Sequence, residues 1–166
     1  VRHRVDGLLA ITGTTVYPVQ LHREEQTMIK KVGPTEIKSK HRASCHCGAV
    51  VLELDLPNGI VDPRRCDCSL CRRKGAIVAT VAAEGVKVIQ GQSQLKLYQF
   101  NTLTARHYFC ANCGVYTHHQ RRSNPEQCGY NVGCLEGVNP YDLGPVKTSD
   151  GVHHPADRTP PTNISC

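Results

Sequence analysis

The sequence has no tryptophan, two phenylalanines and one methionine, and aromatic residues make up only 5% of its 166 positions. Its core must therefore be lean, built from Val, Leu, Ile and Ala, because aromatic rings supply the largest burial per residue. No apolar run exceeds a few residues, Ala49-Val50-Val51-Leu52 being typical, whereas a helix that crosses a bilayer needs ~20. Neither end shows a basic segment followed by an apolar run and a small-residue cleavage site, so no secretory signal is read. A membrane-spanning or exported protein is not expected, and the reading is cytoplasmic.

Acidic residues are the scarcer charge, 14 against 20 Lys and Arg, for a formal net charge of +6. The excess is mild and suits anionic small molecules as readily as nucleic acid. What the chain does have is ten cysteines. In a reducing compartment, thiols at short spacings are expected to be metal ligands rather than disulfides. The length fits one domain at the usual ~100–200 residues.

Residues 1–40 contain no cysteine and no regular apolar pattern, and the one methionine is Met28. They read as an N-terminal extension with two alternatives: a native start at Met28 preceded by an upstream segment, or an ordinary strand and turn. From Ala43 onward short strands alternate with turns. Ala49 to Leu56 stops at Pro57-Asn58-Gly59, Ala76 to Ala83 is β-branched and apolar, and Val86 to Ile89 follows Gly85. Leu95 to Phe100 alternates strictly, which predicts a half-buried strand. Arg106 to Phe109, Val115 to Thr117 and Tyr130 to Val132 complete the strands, and a helical turn is expected only at Leu70 to Lys74. The chain after Gly144, rich in Pro, Thr, Ser and Asp, reads as surface loop ending in a flexible tail over 159–166. The class is mainly β.

Seven thiols fall into three clusters: Cys45-His46-Cys47-Gly48, Cys66-Asp67-Cys68-Ser69-Leu70-Cys71, and Cys110-Ala111-Asn112-Cys113-Gly114. Zinc takes four ligands in a tetrahedron and thiolates are among its best partners. Glycine after the last cysteine suits the left-handed backbone that closes such a turn. The count fits one closed four-thiolate site, Cys45, Cys47, Cys110 and Cys113, and one three-thiolate site, Cys66, Cys68 and Cys71. Three protein ligands leave a place for water or substrate, as in catalytic zinc sites. The alternatives are disulfides for the pairs, and for the triad a closed structural site completed by Asp67, a histidine or Cys134. Cys128 and Cys134 read as buried small hydrophobes. Asn163-Ile164-Ser165 is a chance match to a glycosylation sequon, and Cys166 is terminal.

These three motifs, with Asn131-Val-Gly-Cys-Leu-Glu-Gly137 and Asp150-Gly-Val-His-His-Pro155, resemble the glutathione-dependent formaldehyde-activating enzyme (GFA) and centromere protein V family over residues 41–158. The resemblance implies a compact double β-sheet fold stapled by zinc. It also implies two zinc ions per chain: a structural one on Cys45, Cys47, Cys110 and Cys113, and a second on Cys66, Cys68 and Cys71 that accepts the glutathione sulfur. The implied activity is that of a carbon–sulfur lyase that forms or cleaves S-hydroxymethylglutathione, with glutathione or a similar thiol and a small aldehyde as partners.

Arg72 and Arg73, next to Cys71, are the candidate contacts to the substrate carboxylates, since guanidinium pairs bidentately with carboxylate. Candidate proton carriers are His46, His107, His118, His119 and His154, histidine being the side chain that titrates near neutrality. The competing reading is a non-enzymatic zinc module for protein or nucleic acid. Single-strand binders add stacking aromatics to their basic grooves, and the basic cluster Arg64 to Lys74 contains none, so nucleic acid is not the expected partner.

Overall fold

A computed structural model describes residues 27–154. Thirteen strands and one helical turn follow in order: β1 (Met28–Ile29), β2 (Lys31–Val32), β3 (Thr35–Glu36), β4 (Lys40–Ser44), β5 (Val51–Asp55), β6 (Ile60–Cys66), α1 (Cys71–Lys74), β7 (Val78–Ala82), β8 (Val86–Gln90), β9 (Leu95–Tyr98), β10 (Arg106–Cys110), β11 (Tyr116–Gln120), β12 (Gln127–Asn131) and β13 (Lys147–Ser149). The fold is mainly β, as the sequence implies. Among the described residues no helix is long and apolar enough to cross a membrane.

The large sheet runs β1-β6-β7-β12-β11-β10-β9, and the small one β4-β5-β8. Between them lies a core of aliphatic side chains. Leu52 and Leu54 from the small sheet, with Val50 just before β5, meet Ala79, Val81 and Tyr130 from the large one. Leu52, Leu54 and Tyr130 are among its largest fully buried side chains. One aromatic ring stands where larger cores use several.

Residues 28–37, which the sequence reading set outside the 41–158 domain, pack against it. β1 pairs antiparallel with β6, Ile29 opposite Ile60, and Val32 and Ile37 belong to the core. Periodicity could not show this, because elements of two residues carry no measurable period. Residues 1–26 and 155–166 lie outside the described residues, and with them the tail, Cys166 and the sequon.

Two further expectations are corrected. β9 is an edge strand of the large sheet, so its alternation does not give a buried face, and Leu97 and Tyr98 are both exposed. The chain after Gly144 is not simply surface loop. It returns as β13, which pairs parallel with β6, Thr148 opposite Arg65 and Ser149 opposite Cys66.

Two bulges decide which side chains reach the outer face of the large sheet. In β6, Val61 pairs with Thr80 and Arg64 with Val78, so the strand carries one extra residue at Asp62-Pro63. Asp62 takes a left-handed backbone, φ 49°. In β11, Phe109 pairs with Tyr116 but Tyr108 with His118, leaving Thr117 as the extra residue. Bulges re-aim side chains in this way beside functional sites. Here they put Arg64 on the face of Thr80, and Tyr116 on the face of His119.

Candidate metal centres and cavity

The first cysteine cluster joins the two sheets. Cys45 and Cys47 sit in the turn between β4 and β5, and Cys110 and Cys113 in the turn between β10 and β11. Both turns close on a left-handed glycine: Gly48 N–H donates to Cys45 O at 3.0 Å and Gly114 N–H to Cys110 O at 2.9 Å, each glycine with φ 73°. The four sulfurs lie within 4.8 Å of one another. Cys45 Sγ is 3.6 Å from Cys47 Sγ, which is 3.7 Å from Cys110 Sγ. A tetrahedron with zinc–sulfur bonds of ~2.3 Å has edges of ~3.8 Å, whereas a disulfide needs ~2.05 Å. The sulfurs thus stand at metal-ligand spacing, and the disulfide alternative for this cluster fails.

Backbone amides already favour thiolate there. Val50 N–H donates to Cys45 Sγ at 3.2 Å. Hydrogen bonding from the Asn112 side chain, then from the Ala49 backbone, draws Cys47 down to about 6, while burial pushes Cys45 up to about 11.

The second cluster lies at the end of β6 and the start of α1. The sulfurs of Cys66, Cys68 and Cys71 lie within 4.8 Å of one another, and among the described residues no fourth Cys, His, Asp or Glu joins them. The candidates for closing the site are used elsewhere. Asp67 Oδ1 accepts from Gly151 N–H at 2.6 Å, and Cys134 Sγ points to Tyr116 O at 3.6 Å. Cys71 N–H donates to Cys68 Sγ at 3.4 Å. Hydrogen bonding from Cys71 draws Cys66 down to about 5, while the shared proton and burial push Cys71 far up.

The triad opens onto a cavity of about 510 Å³. Arg72 lines it. Arg73 does not; its guanidinium donates to Ser69 O at 2.5 Å. Arg64, Arg121 and Arg122 also line the cavity. Arg64 is fixed by Asp62 Oδ2 and O and by Thr80 Oγ1, the last at 3.0 Å, and Arg121 by Gln127 Oε1 at 2.6 Å. Asp150 lines it as well, its carboxylate accepting from Val152 N–H and His153 N–H at 3.0 and 2.8 Å. Cysteine-centred reading singled out neither Arg121 nor Arg122, which stand some 50 residues after the triad in sequence. Their only sequence signal is a basic pair at the end of a strand.

The five candidate histidines separate. His107, His119 and His154 line the cavity. His46 is exposed on the first cysteine turn. His118 lies on the opposite face of the sheet, stacked on Tyr108 with ring centroids 4.7 Å apart. Burial, reinforced by Lys74, pushes His107 down to about 4, and burial together with His107 and Lys74 pushes His119 down to about 3. Both are neutral near pH 7, and neither is poised to exchange a proton there, contrary to the general expectation for histidine.

The family model described as glutathione-dependent formaldehyde-activating enzyme matches residues 40–148. A Rhodobacter sphaeroides protein, crystallised as a structural-genomics target, is similar at 59% sequence identity with a TM-score of 0.63. That similarity covers 65% of this chain and 99% of that one.

Proposed function

Because the chain belongs to the glutathione-dependent formaldehyde-activating enzyme family, we propose that it is a zinc-dependent carbon–sulfur lyase forming or cleaving S-hydroxymethylglutathione at the Cys66, Cys68 and Cys71 cavity. The observation that carries this reading is a three-thiol cluster with no fourth ligand among the described residues, opening onto a cavity rimmed by arginines. In this reading residues 41–158 are the catalytic unit and two zinc ions are held per chain. The nine described cysteines, all unpaired, suit a reducing compartment such as the cytoplasm.

A zinc ion on three thiolates keeps one position for an outside ligand and favours the ionised form of a thiol at neutral pH. The chain's own residues then bind and orient. Arg72 and Arg121 offer guanidinium groups to the two carboxylates of glutathione, which sets the direction in which its cysteine enters. Arg64 is already held by Asp62 and Thr80, so it supplies fixed positive charge beside the thiolates rather than a mobile clamp. Phe100 adds an apolar ring to the cavity wall. The basic groups gather inside a cavity instead of along an open stripe, which favours this reading over a nucleic-acid module.

The test is zinc per chain in protein purified without added metal or chelator, followed by titration of the cobalt-substituted protein with glutathione. Two zinc ions and a change in the thiolate charge-transfer band are expected. One zinc and no spectral response would overturn the open-site reading.

A further inference from the structure

His107 and His119 stand opposite each other across β10 and β11, with stacked rings 5.1 Å apart. Each has its Nδ1 engaged. The Tyr116 hydroxyl lies 2.5 Å from His119 Nδ1, and Lys74 Nζ lies 3.1 Å from His107 Nδ1. The direction of the first bond follows from satisfaction. Tyr116 is buried, and among the described residues its hydroxyl has no second partner. If His119 donated, the phenolic proton would be stranded at a cost of ~1–3 kcal/mol. The phenol therefore donates, and the single proton of the neutral imidazole sits on Nε2.

The same holds for His107. An ammonium has only donors to offer, and Lys74 sits 3.7 Å from the centroid of the Tyr116 ring, where a cation is favoured. Gly129 packs against the Cε1 and Nδ1 edge of His119, leaving the other edge toward the cavity that both rings line. Neither Nε2 has a hydrogen-bond partner among the described residues.

We propose that His119 and His107 are not proton carriers but a pair of neutral N–H donors for the oxygen on the aldehyde carbon, with Tyr116 and Lys74 as positioning residues that fix their tautomers. This rests on the function proposed above. In the forward step the glutathione thiol releases its proton to solvent and its sulfur forms the carbon–sulfur bond to formaldehyde. The π pair of the carbonyl moves onto oxygen, and water protonates that oxygen to give the hydroxymethyl thioether. Two preorganised donors meet the charge as it develops, without reorganising. Burial keeps both rings neutral, and the charges packed around His119, namely Lys74, Arg121 and Arg64, all oppose its protonation.

The tautomers are read by ring-nitrogen NMR on the full-length protein labelled with 15N-histidine. Nε2–H is expected on both rings at pH 7. Tyr116→Phe should release His119 into a tautomer mixture and leave His107 unchanged. Formaldehyde added with glutathione should shift the His119 Nε2–H resonance, and glutathione alone should not. In steady-state assays His119→Ala should lower kcat ~100-fold, the cost of one lost donor, with KM for glutathione held within about twofold. His119→Gln, which keeps an N–H, should recover much of that loss and show the same pH–rate profile as the natural protein. An Nδ1–H tautomer, an imidazolium at pH 7, or an unchanged kcat in His119→Ala would overturn the donor pair. Correct tautomers in a protein that forms no adduct would instead overturn the formaldehyde reading.

Discussion

Gly151 lies against Cys66: a methyl group on its α-carbon would come 2.5 Å from the Cys66 sulfur and 2.7 Å from Cys68 Cβ. The contact exists because β13 pairs alongside β6 and Asp67 Oδ1 holds the Gly151 N–H. Only glycine lets this strap pass over the thiols. On the proposed two-zinc reading, Gly151→Ala should therefore disturb the second centre while sparing the first, lowering zinc from two to one per chain with a small change in melting temperature. Elemental analysis and a thermal scan on the same sample check this. Two retained zinc ions would mean that the strap yields instead.

The two clusters should differ sharply in what they contribute to folding. Cys110 is fully buried and belongs to the core, and its cluster ties the small sheet to the large one. On the proposed reading, removing this sulfur forfeits much of a structural zinc site, and such sites supply ~10 kcal/mol or more of apparent folding free energy in small domains. Cys110→Ala should fail to fold stably. Cys68 is half-buried at the end of the large sheet, so Cys68→Ala should give a folded, inactive protein with one zinc. Circular dichroism and zinc content on both variants separate the outcomes, and equal unfolding would erase the distinction between the centres.

How far the sequence could be read depended on the range of the interaction. The thiol clusters were legible because their cysteines stand at short spacings with glycine behind them, as at Cys110 to Gly114. The pairing of Cys45 and Cys47 with Cys110 and Cys113 followed from counting, and the structure brings these four sulfurs together. Most strands from Val51 to Asn131 were legible from β-branched and alternating runs, but β6 was not, because Pro63 and three charged residues, Asp62, Arg64 and Arg65, break its apolar pattern. The cavity was not. Tyr116 and His119 are three residues apart and a strict period of two sends them to opposite faces; the extra residue Thr117 puts them on one. Likewise Arg72 and Arg73 look equivalent in sequence, and the single turn of α1 sends one into the cavity and the other to Ser69.

That difference gives a direct test of the substrate contact. A charge-assisted hydrogen bond contributes ~1.5–3 kcal/mol, and 1.4 kcal/mol is about tenfold in affinity. Arg72→Ala should raise KM for glutathione about tenfold or more with little change in kcat. Arg73→Ala, acting outside the cavity lining, should leave KM within about twofold. Kinetics at several glutathione concentrations decide it, and equal effects from the two would place the carboxylate contact elsewhere.

Stability should fall as the pH drops, in part through a histidine that belongs to neither cluster. His118 is buried on the core side of the large sheet, against Tyr108 and Thr117 Oγ1, and burial pushes it from 6.5 down to about 4. The unfolded chain binds its proton below pH 6.5 and the folded one does not until about pH 4, so between these values the unfolded state gains protons first. The stabilisation is complete above pH 6.5 and is lost as the pH falls toward 4. Linkage gives about 1.4 kcal/mol lost from this group by pH 5.5. Metal release also weakens the fold in acid, but it acts alike on a variant that lacks the imidazole. The gap in unfolding free energy between the natural protein and His118→Phe, measured by urea denaturation at pH 7.5 and pH 5.5, should therefore shift by about 1 kcal/mol in favour of the variant at the lower pH. A gap that does not change with pH would mean that His118 takes up its proton in the folded state as readily as in the unfolded chain.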